Sequence, residues 1–571
     1  MNWKHRLLSL ATAAVVTSTS FAQQAGAPLG TIAAPDPVFN YSKKDKDLLD
    51  APLFGGISYF KRHFGDPSPR FELRAPAKFN DYAIDNKLEL SLRNYLQLVL
   101  ANNVDIDIQR LNVELQRNAI TRAYGVFDPV LIGNFNSQRS KTPTTSQLEG
   151  AQTLNQLTQP SSFTYNQVLS NGMRLSTGFT ANKISTNNSF AFYNPALNAQ
   201  FATTISMPLL RNRGAAVNKL PITIARSRLK IGQENFLANL FQLITNAEQA
   251  YWDLMGARES LRVQEKALEL SAEALKRSRR ELELGAISPL DIYQPEANYA
   301  SAEIQVLQAR YRLQQAEDVL RRQMGADLDS QYRNMPINLT ESVAPPTETT
   351  EIDREQSVEK ALRMRPELRS ITESINTDDL LLRQSTNLLR PDLSLNGNYI
   401  STGRGGNLFT RNGTNVAMIP GGFTDALDQV FGFGFPIYSF GVQLRLPLRD
   451  RAAAANYADA VVSKRQDLLA KRSTEQNIRQ QVLVAVSQVE SSKASVKLAA
   501  VARDFAQKQL DAEQKKYDLG TSVIFFVLDA QTRLVNAEAA LVNQTVQYRR
   551  NQLNLLRVTG ELLEDRGIQV Q

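Results

Sequence analysis

Two parts of this chain carry the same punctuation at fixed spacing, and that duplication constrains the fold more than any other feature. Val104, within Asn103-Val104-Asp105-Ile106, opens a helical pattern, and Pro366, within Arg365-Pro366-Glu367-Leu368, opens another 262 positions later. The first pattern ends at Phe127-Asp128-Pro129-Val130-Leu131 and the second at Leu389-Arg390-Pro391-Asp392-Leu393, with the prolines again 262 apart. Ser206-Met207-Pro208-Leu209 is answered by Arg445-Leu446-Pro447-Leu448 at an offset of 239, and Leu284-Gly285 by Leu519-Gly520 at 235. The large drop falls between Pro129 and Pro208, where the first copy carries an excursion 23 residues longer. Constant offsets inside helices, with slippage confined to a connection, are what an internal duplication leaves.

Each copy reads as helix, strands, long helix, tight turn, shorter helix. The first repeat occupies 89–340, with a helix over 91–124, strands within 129–209, a long helix over 215–284 and a return helix over 289–325. The second occupies 341–560, with a helix over 357–389, strands within 391–448, a long helix over 452–519 and a return helix over 523–559. Pro129 and Pro391 cannot continue the helices before them, and Gly285 and Gly520 take the position just past a helix end. At 1.5 Å per residue the long helices reach roughly 105 Å and the others roughly 50–55 Å, so two short helices end to end match one long one. Leu254, Leu261, Leu268, Leu275 and Leu282 recur every seven residues, as do Val482, Val489 and Val496. Strict sevens imply left-handed supercoiling against neighbours. An antiparallel bundle with a solid core satisfies the heptads alone. Small residues at the seam and polar remaining faces fit a hollow cylinder better.

The strands alternate with period two. Phe201, Thr203, Ile205 and Met207 interleave with Ala202, Thr204 and Ser206; Val442, Leu444, Leu446 and Leu448 interleave with Gln443, Arg445 and Pro447. Leu393, Leu395 and Tyr399 interleave with Ser394, Asn396 and Asn398, and aromatics cluster at Phe431, Phe433, Phe435, Tyr438 and Phe440. Runs of this length suit strands between lipid and a wet lumen; a soluble β-domain inserted between helices is the rival reading. Two strands per copy give four per chain, and four cannot close a barrel when about eight is the smallest natural count. An open edge in lipid is forbidden, because each unpaired backbone group there costs several kcal/mol. The chain must therefore oligomerise, and three copies give twelve strands. A further hairpin, Phe163–Leu169 and Met173–Thr180 joined at Ser170-Asn171-Gly172, is either an additional strand pair or an extracellular extension.

Composition narrows the function. There is no cysteine, and histidine occurs only at His5 and His63. Disulfides, thiolate metal sites, cysteine nucleophiles and most acid–base chemistry lose their usual residues, so we expect no enzyme, no metal site and no cofactor. Lys4 and Arg6 precede an apolar run, Leu7–Val16, too short to span a membrane, and Ser20-Phe21-Ala22 offers a cleavage site; residues 1–22 read as a signal peptide. The formal charge of +8 comes from basic residues interleaved with acids along the helices, a solvated surface rather than a nucleic-acid patch. Residues 23–88, rich in Pro, Gly and charge, read as an extended arm, and 561–571 as a C-terminal tail.

From Leu88 to Thr559 the chain resembles the TolC-like outer-membrane efflux proteins. The resemblance rests on Leu96 through Asn102-Asn103, Phe127-Asp128-Pro129, Met207-Pro208-Leu209-Leu210, Ala250-Tyr251-Trp252-Asp253-Leu254, Tyr517-Asp518-Leu519-Gly520-Thr521 and Val527-Leu528-Asp529-Ala530-Gln531. It implies a mixed α/β membrane protein in which each duplicated chain forms one third of a trimeric transmembrane β-barrel, four strands per chain. That barrel would be continuous with a long periplasmic α-helical coiled-coil barrel. The implied partners are two further copies, outer-membrane lipid, a periplasmic adaptor and an inner-membrane transporter. The implied function is passive conduction of small molecules from periplasm to exterior. An exit duct for secreted proteins uses the same scaffold. A porin would need many strands and few long helices, and a non-conducting periplasmic scaffold would lack the alternating aromatic strands.

The resemblance also implies that the two glycine turns form a closable tip where an adaptor docks, through Leu284, Gly285, Leu519, Gly520 and Thr521. Family channels constrict at aspartates on the sixth and ninth positions past the second glycine; here those are Phe526 and Asp529, and the first copy has Asp291 and Gln294. Three-fold symmetry would make rings of Asp291 and Asp529 that admit cations, and an apolar ring of Phe526 that closes by dewetting. The competing reading is that both acids sit in first turns of helices, where they favour the macrodipole.

Overall fold

The computed structural model describes residues 77–144, 149–341, 352–412 and 415–568; the signal peptide and most of the 23–88 arm lie outside them. Strands β1 (Ala83–Ile84) and β2 (Lys87–Leu90) precede helices α1 (Leu92–Asn102) and α2 (Val104–Tyr124). Strands β3 (Val130–Phe135), β4 (Gln138–Pro143), β5 (Thr153–Val168), β6 (Arg174–Thr186) and β7 (Ala196–Pro208) follow, then the long helix α3 (Leu220–Glu283) and its return helix α4 (Tyr293–Met324). Strand β8 (Ile337–Leu339) leads into the second copy: α5 (Arg354–Met364), α6 (Pro366–Leu388), β9 (Asp392–Gly405), β10 (Leu408–Asn412), β11 (Asn415–Ile419), α7 (Phe423–Phe431) and β12 (Pro436–Arg445). It closes with the long helix α8 (Arg451–Asp518), the return helix α9 (Ile524–Thr559) and a last turn, α10 (Leu562–Asp565).

The expected order of elements holds, with three local corrections. Each first helix is two helices, broken at Asn103 and Arg365. Asn103 is extended, its amide oxygen accepts from the Asp105 backbone N–H at 2.9 Å, and its Nδ2 donates to the Gln323 carbonyl at 2.8 Å. Arg365 is extended because Pro366 follows it, and its guanidinium bonds Glu367 at 2.7 Å and the Val558 carbonyl at 3.4 Å. The long helix of the first copy starts at Leu220, after a separate turn at Ala215–Asn218, and the return helix starts at Tyr293 rather than 289. The ends assigned to arm and tail are partly core: Phe79, Leu88 and Leu562 are fully buried.

The long helices α3 and α8 have 64 and 68 residues, about 100 Å each. They stand in a wall one helix thick. Its half nearest the strands runs α2, α3, α6, α8, and its far half runs α4, α3, α9, α8. Between the halves lies the main core, where Tyr95, Ile244, Tyr251, Leu254, Leu320 and Met324 pack beneath a small sheet of β1, β2 and β8. The heptad seam of the second copy is closed: Val482, Val489 and Val496 are all buried.

The main sheet is antiparallel, in the order β12, β9, β7, β6, β5, β3, with β4 also on β5. Strands β3 and β4 are two segments of one row, pairing successive stretches of β5. The sheet therefore has six rows, not four. The hairpin whose role was open in the sequence lies inside it as β5 and β6, paired on both flanks along unbroken registers. Register then fixes the faces, since directly opposed residues share a side. Leu131, Phe163, Tyr165, Leu175, Phe179, Phe201, Ile205, Met207, Leu393, Leu395, Tyr399, Tyr438, Phe440, Val442 and Leu444 fall on one face. The other is mostly Ser, Thr, Asn, Gln and Gly, with Val130, Ile132, Leu154, Val168, Ile184, Ile400 and Ile437 as large apolar exceptions. Among the described residues no helix is long and apolar enough to cross a membrane.

Candidate functional site

Far from the sheet, each long helix ends in the same way. The Gly285 N–H donates to the Leu282 carbonyl and the Ala286 N–H to that of Glu281; Gly520 and Thr521 repeat this to Tyr517 and Lys516. These paired bonds satisfy the last carbonyls and require a left-handed residue just past the helix. Gly285 and Gly520 have φ of 71° and 73°, and a Cβ on either would meet nothing, so backbone conformation alone selects glycine. The following turns leave Leu284 and Leu519 in solvent, 84% and 79% exposed, with Thr521 exposed beside them.

A polar network ties the end of α3 to the end of α8. Arg277 of α3 donates to Asp518 at 2.8 Å and to Glu281 at 3.0 Å, and its guanidinium lies 4.6 Å above the Tyr517 ring. The Tyr517 hydroxyl donates to the other oxygen of Glu281. Burial and then the Glu281 bond push the Tyr517 phenol up to about 12. The bond to Asp518 raises Arg277, and the Arg277 bond lowers Asp518. Sequence reading placed Tyr517 and Asp518 in a motif but assigned no site role to them, to Arg277 or to Glu281. Glu281 and Asp518 sit at helix C-termini, where the macrodipole disfavours acids; that misplacement was the available signal.

The gate candidates have local partners. Asp291 precedes α4 in a turn, where its carboxylate accepts the Ser288 N–H at 3.2 Å while the Ser288 hydroxyl accepts from Leu290. These bonds close a turn ahead of α4, whose own N-cap, Ile292, makes no side-chain cap bond. Asp529 lies on the second turn of α9 and pairs with Arg533 at 2.8 Å, one helical turn on. Phe526 is half exposed at the start of α9, edge-on to an equally exposed Phe525, with ring centroids 5.5 Å apart. Among the described residues no group of His, Cys, Asp or Glu could hold a metal ion.

A family model described as "Outer membrane efflux protein" matches residues 95–326 and 358–561, the two copies in turn. The chain belongs to the outer membrane efflux protein family. It is 23% identical over 489 residues to the outer membrane efflux protein BepC of Brucella suis, covering 85% of this chain and 88% of that one. To the outer membrane protein TolC of Escherichia coli it is 26% identical over 375 residues, covering 64% and 70%. The solved CmeC outer membrane channel of Campylobacter jejuni superposes with a TM-score of 0.58 at 16% identity, over 89% of this chain and 95% of that one. Membership places the protein in the outer membrane, in a family of efflux channels rather than enzymes.

Proposed function

We propose that three copies of this chain close head to tail into a passive exit duct of a tripartite efflux pump. The observation that carries the reading is where exposed apolar side chains fall on the helical wall. They lie along α2 (Ile108, Leu115), α4 (Ile304, Leu307, Tyr311, Val319) and α8 (Val461, Val462, Leu469, Leu498, Phe505). Along α3, α6 and α9, beyond the first turn of α9, none is found among the described residues. Helices α2 and α4 form one edge of the wall and α8 the other. The sheet has matching edges: β3 leads out of α2, and β12, with Phe440 87% exposed, leads into α8.

Six rows is an even number, so the edge strands β3 and β12 run in opposite directions, and β12 of one copy meets β3 of the next as an antiparallel pair. Such a heterologous contact closes when rotation returns to its start. With three copies, the number implied by the family resemblance, three sixes make eighteen rows and a barrel wider than the twelve expected from sequence. The apolar face meets outer-membrane lipid and the polar face lines water. Below it, twelve helix positions per level enclose the duct as it crosses the periplasm.

The tip is the entrance. Leu284, Gly285, Leu519, Gly520 and Thr521 offer an exposed apolar rim to a periplasmic adaptor, which couples the duct to an inner-membrane transporter. The Arg277–Glu281–Tyr517–Asp518 network holds the hairpins closed, with Phe525 and Phe526 forming an apolar constriction. Asp291 and Asp529 supply rings of acid, tempered by the Ser288 turn and by Arg533. Planar-bilayer recording on protein from an unboiled gel tests the whole reading: a trimer with water-filled conductance supports it. A stable monomer without conductance ends it.

A further inference from the structure

Helix α7 lies in the connection between β9 and β12, and it folds back flat onto the sheet. Ala426 and Val430 are buried against Ala199, with Phe179 and Phe201 beside them. The Ser401 hydroxyl donates to the Val430 carbonyl at 2.7 Å, and the Phe431 ring stacks on Phe179 with centroids 6.4 Å apart. Gly403 and Gly405 make room: a Cβ on either would stand 2.0 Å from the carbonyl oxygens of Ala426 and Gly422. The Gln429 side chain accepts from the Arg404 N–H and donates to the Arg404 carbonyl, both at 3.0 Å, closing the edge of β9 beyond the end of β12.

The face matters. Phe179, Ala199, Phe201, Ser401, Gly403 and Gly405 belong by register to the same face as Phe440, Val442 and Leu444. Helix α7 therefore lies outside the wall, not in its lumen. Phe423 and Phe431 flank the side that meets the sheet and are exposed, while Thr424, Asp425 and Asp428 are exposed on the side away from it. On this face Lys183 sits two pairs beyond Ala199, and Arg139 and Lys141 continue the charged level on β4; all three are exposed. The switch from apolar to charged residues falls at the N-terminal end of the helix, where Lys183 is level with Gly405.

We propose that α7 is an interfacial helix on the lipid side of the barrel, at the head-group boundary of the outer leaflet, with Phe423 and Phe431 reaching the acyl chains and Asp425 and Asp428 turned to the head groups. A cushion of Gly and Ala beneath the helix replaces the bulky side chains that would otherwise fill this band. The inference rests on the membrane-barrel reading.

Brominated acyl chains quench tryptophan on contact, which gives the test. Phe431→Trp and, separately, Phe423→Trp are reconstituted in vesicles with and without brominated lipid, with Phe440→Trp on β12 as the reference. The signal of the unsubstituted protein, including the buried Trp252, is subtracted. The expected result is that both α7 variants lose emission as strongly as Phe440→Trp. Quenching of Phe440→Trp while both α7 variants stay bright would put the helix out of lipid and overturn the proposal. Bright emission from all three would overturn the barrel reading itself, and the proposal with it.

Discussion

Helices α3 and α8 are counterparts in the two copies, nearly equal in length, yet they are buried very differently. Of their residues, 21 are buried in α3 and nine in α8. Helix α3 has a neighbour on each side in both halves of the wall, whereas α8 has neighbours on one side only. Its free side carries Val461, Val462, Leu469, Leu498 and Phe505 in solvent. The same heptad logic runs through both helices; in the proposed trimer, what differs is whether the partner is in the same polypeptide. In the proposed trimer a stripe this long, at about 1.5–3 kcal/mol for each large apolar side chain covered, would be a large association term. The double substitution Val462→Asp with Leu469→Asp should therefore abolish oligomers in detergent and leave a folded monomer. Unchanged oligomers by native mass spectrometry would mean that the free side of α8 is not the interface.

The buried side of the comparison has its own test. Glu248 of α3 is 1% exposed and accepts two bonds from Arg566, at 2.7 and 3.0 Å, which tie the C-terminal turn to the middle of the helix. Leaving a buried charge without its partner costs about 3–5 kcal/mol. Arg566→Ala should lower the stability of the core by roughly that range in a urea titration. Helix α8 has no buried ion pair of this kind among the described residues, so Arg479→Ala, which breaks its exposed pair with Glu355, should cost no more than about 1 kcal/mol.

The tip is where the two helices touch directly, through Arg277 and Asp518. Arg277→Ala removes both of its ionic bonds and the cation held over Tyr517. A closed arrangement favoured by about 1 kcal/mol has a closed-to-open ratio of roughly five, which falls to about one when that preference is removed. Single-channel recording should show a higher open fraction, with Tyr517→Phe producing a smaller change in the same direction. An open fraction unaffected by either would take the network out of gating.

How much of this was legible depended on the strength of the local pattern. The duplication, the two glycine turns and the ends of the long helices were readable because heptads and helix-ending residues act locally. The strands Phe201–Met207 and Val442–Leu444 were readable because their alternation is strong. The count of six rows was not, since β5 alternates weakly: its residues on the apolar face include Gln159, Ser161 and Gln167 alongside Phe163 and Tyr165. Only pairing on both flanks places it in the sheet. The breaks at Asn103 and Arg365 were hidden because each is held by distant partners, Gln323 and Val558. At the tip, Asp291 and Asp529 were named by position, but Ser288 and Arg533, which engage them, were not.

A smaller effect probes the covered side of α8. Asp378 of α6 faces Asp467 of α8; burial, then that neighbouring carboxylate, pushes the Asp378 carboxyl up to about 6. The folded chain then keeps a proton that the unfolded chain has already lost. Stability from this group is full below the ordinary value of 3.8, falls as pH rises to about 6, and stays level above it. Asp378→Asn should flatten that part of the profile and leave the protein more stable than its parent above pH 6. Melts at a series of pH values read this directly; parallel profiles for the two proteins would remove the Asp378–Asp467 contact from the account of how α6 and α8 pack.

The smallest effect is expected at Asp529, and it has an unequal counterpart. A bare ring of three carboxylates would favour cations strongly, and Asp529→Asn would abolish that preference. Here Arg533 sits one turn away at 2.8 Å and screens each carboxylate before an ion reaches it. The pair is exposed, so its strength is at most about 1 kcal/mol, yet in the proposed trimer it would set the net charge of the ring near zero. Asp529→Asn should therefore shift ion preference slightly toward anions, by exposing Arg533. Arg533→Ala, which uncovers the acids, should raise cation preference by a larger margin. The first copy offers the internal control: the position equivalent to Asp529 is Gln294, and Gln294→Asp should add cation preference only weakly while the second-copy pair is intact. Reversal potentials in a salt gradient rank the three variants, and a large loss of cation selectivity in Asp529→Asn would show that Arg533 does not screen the ring.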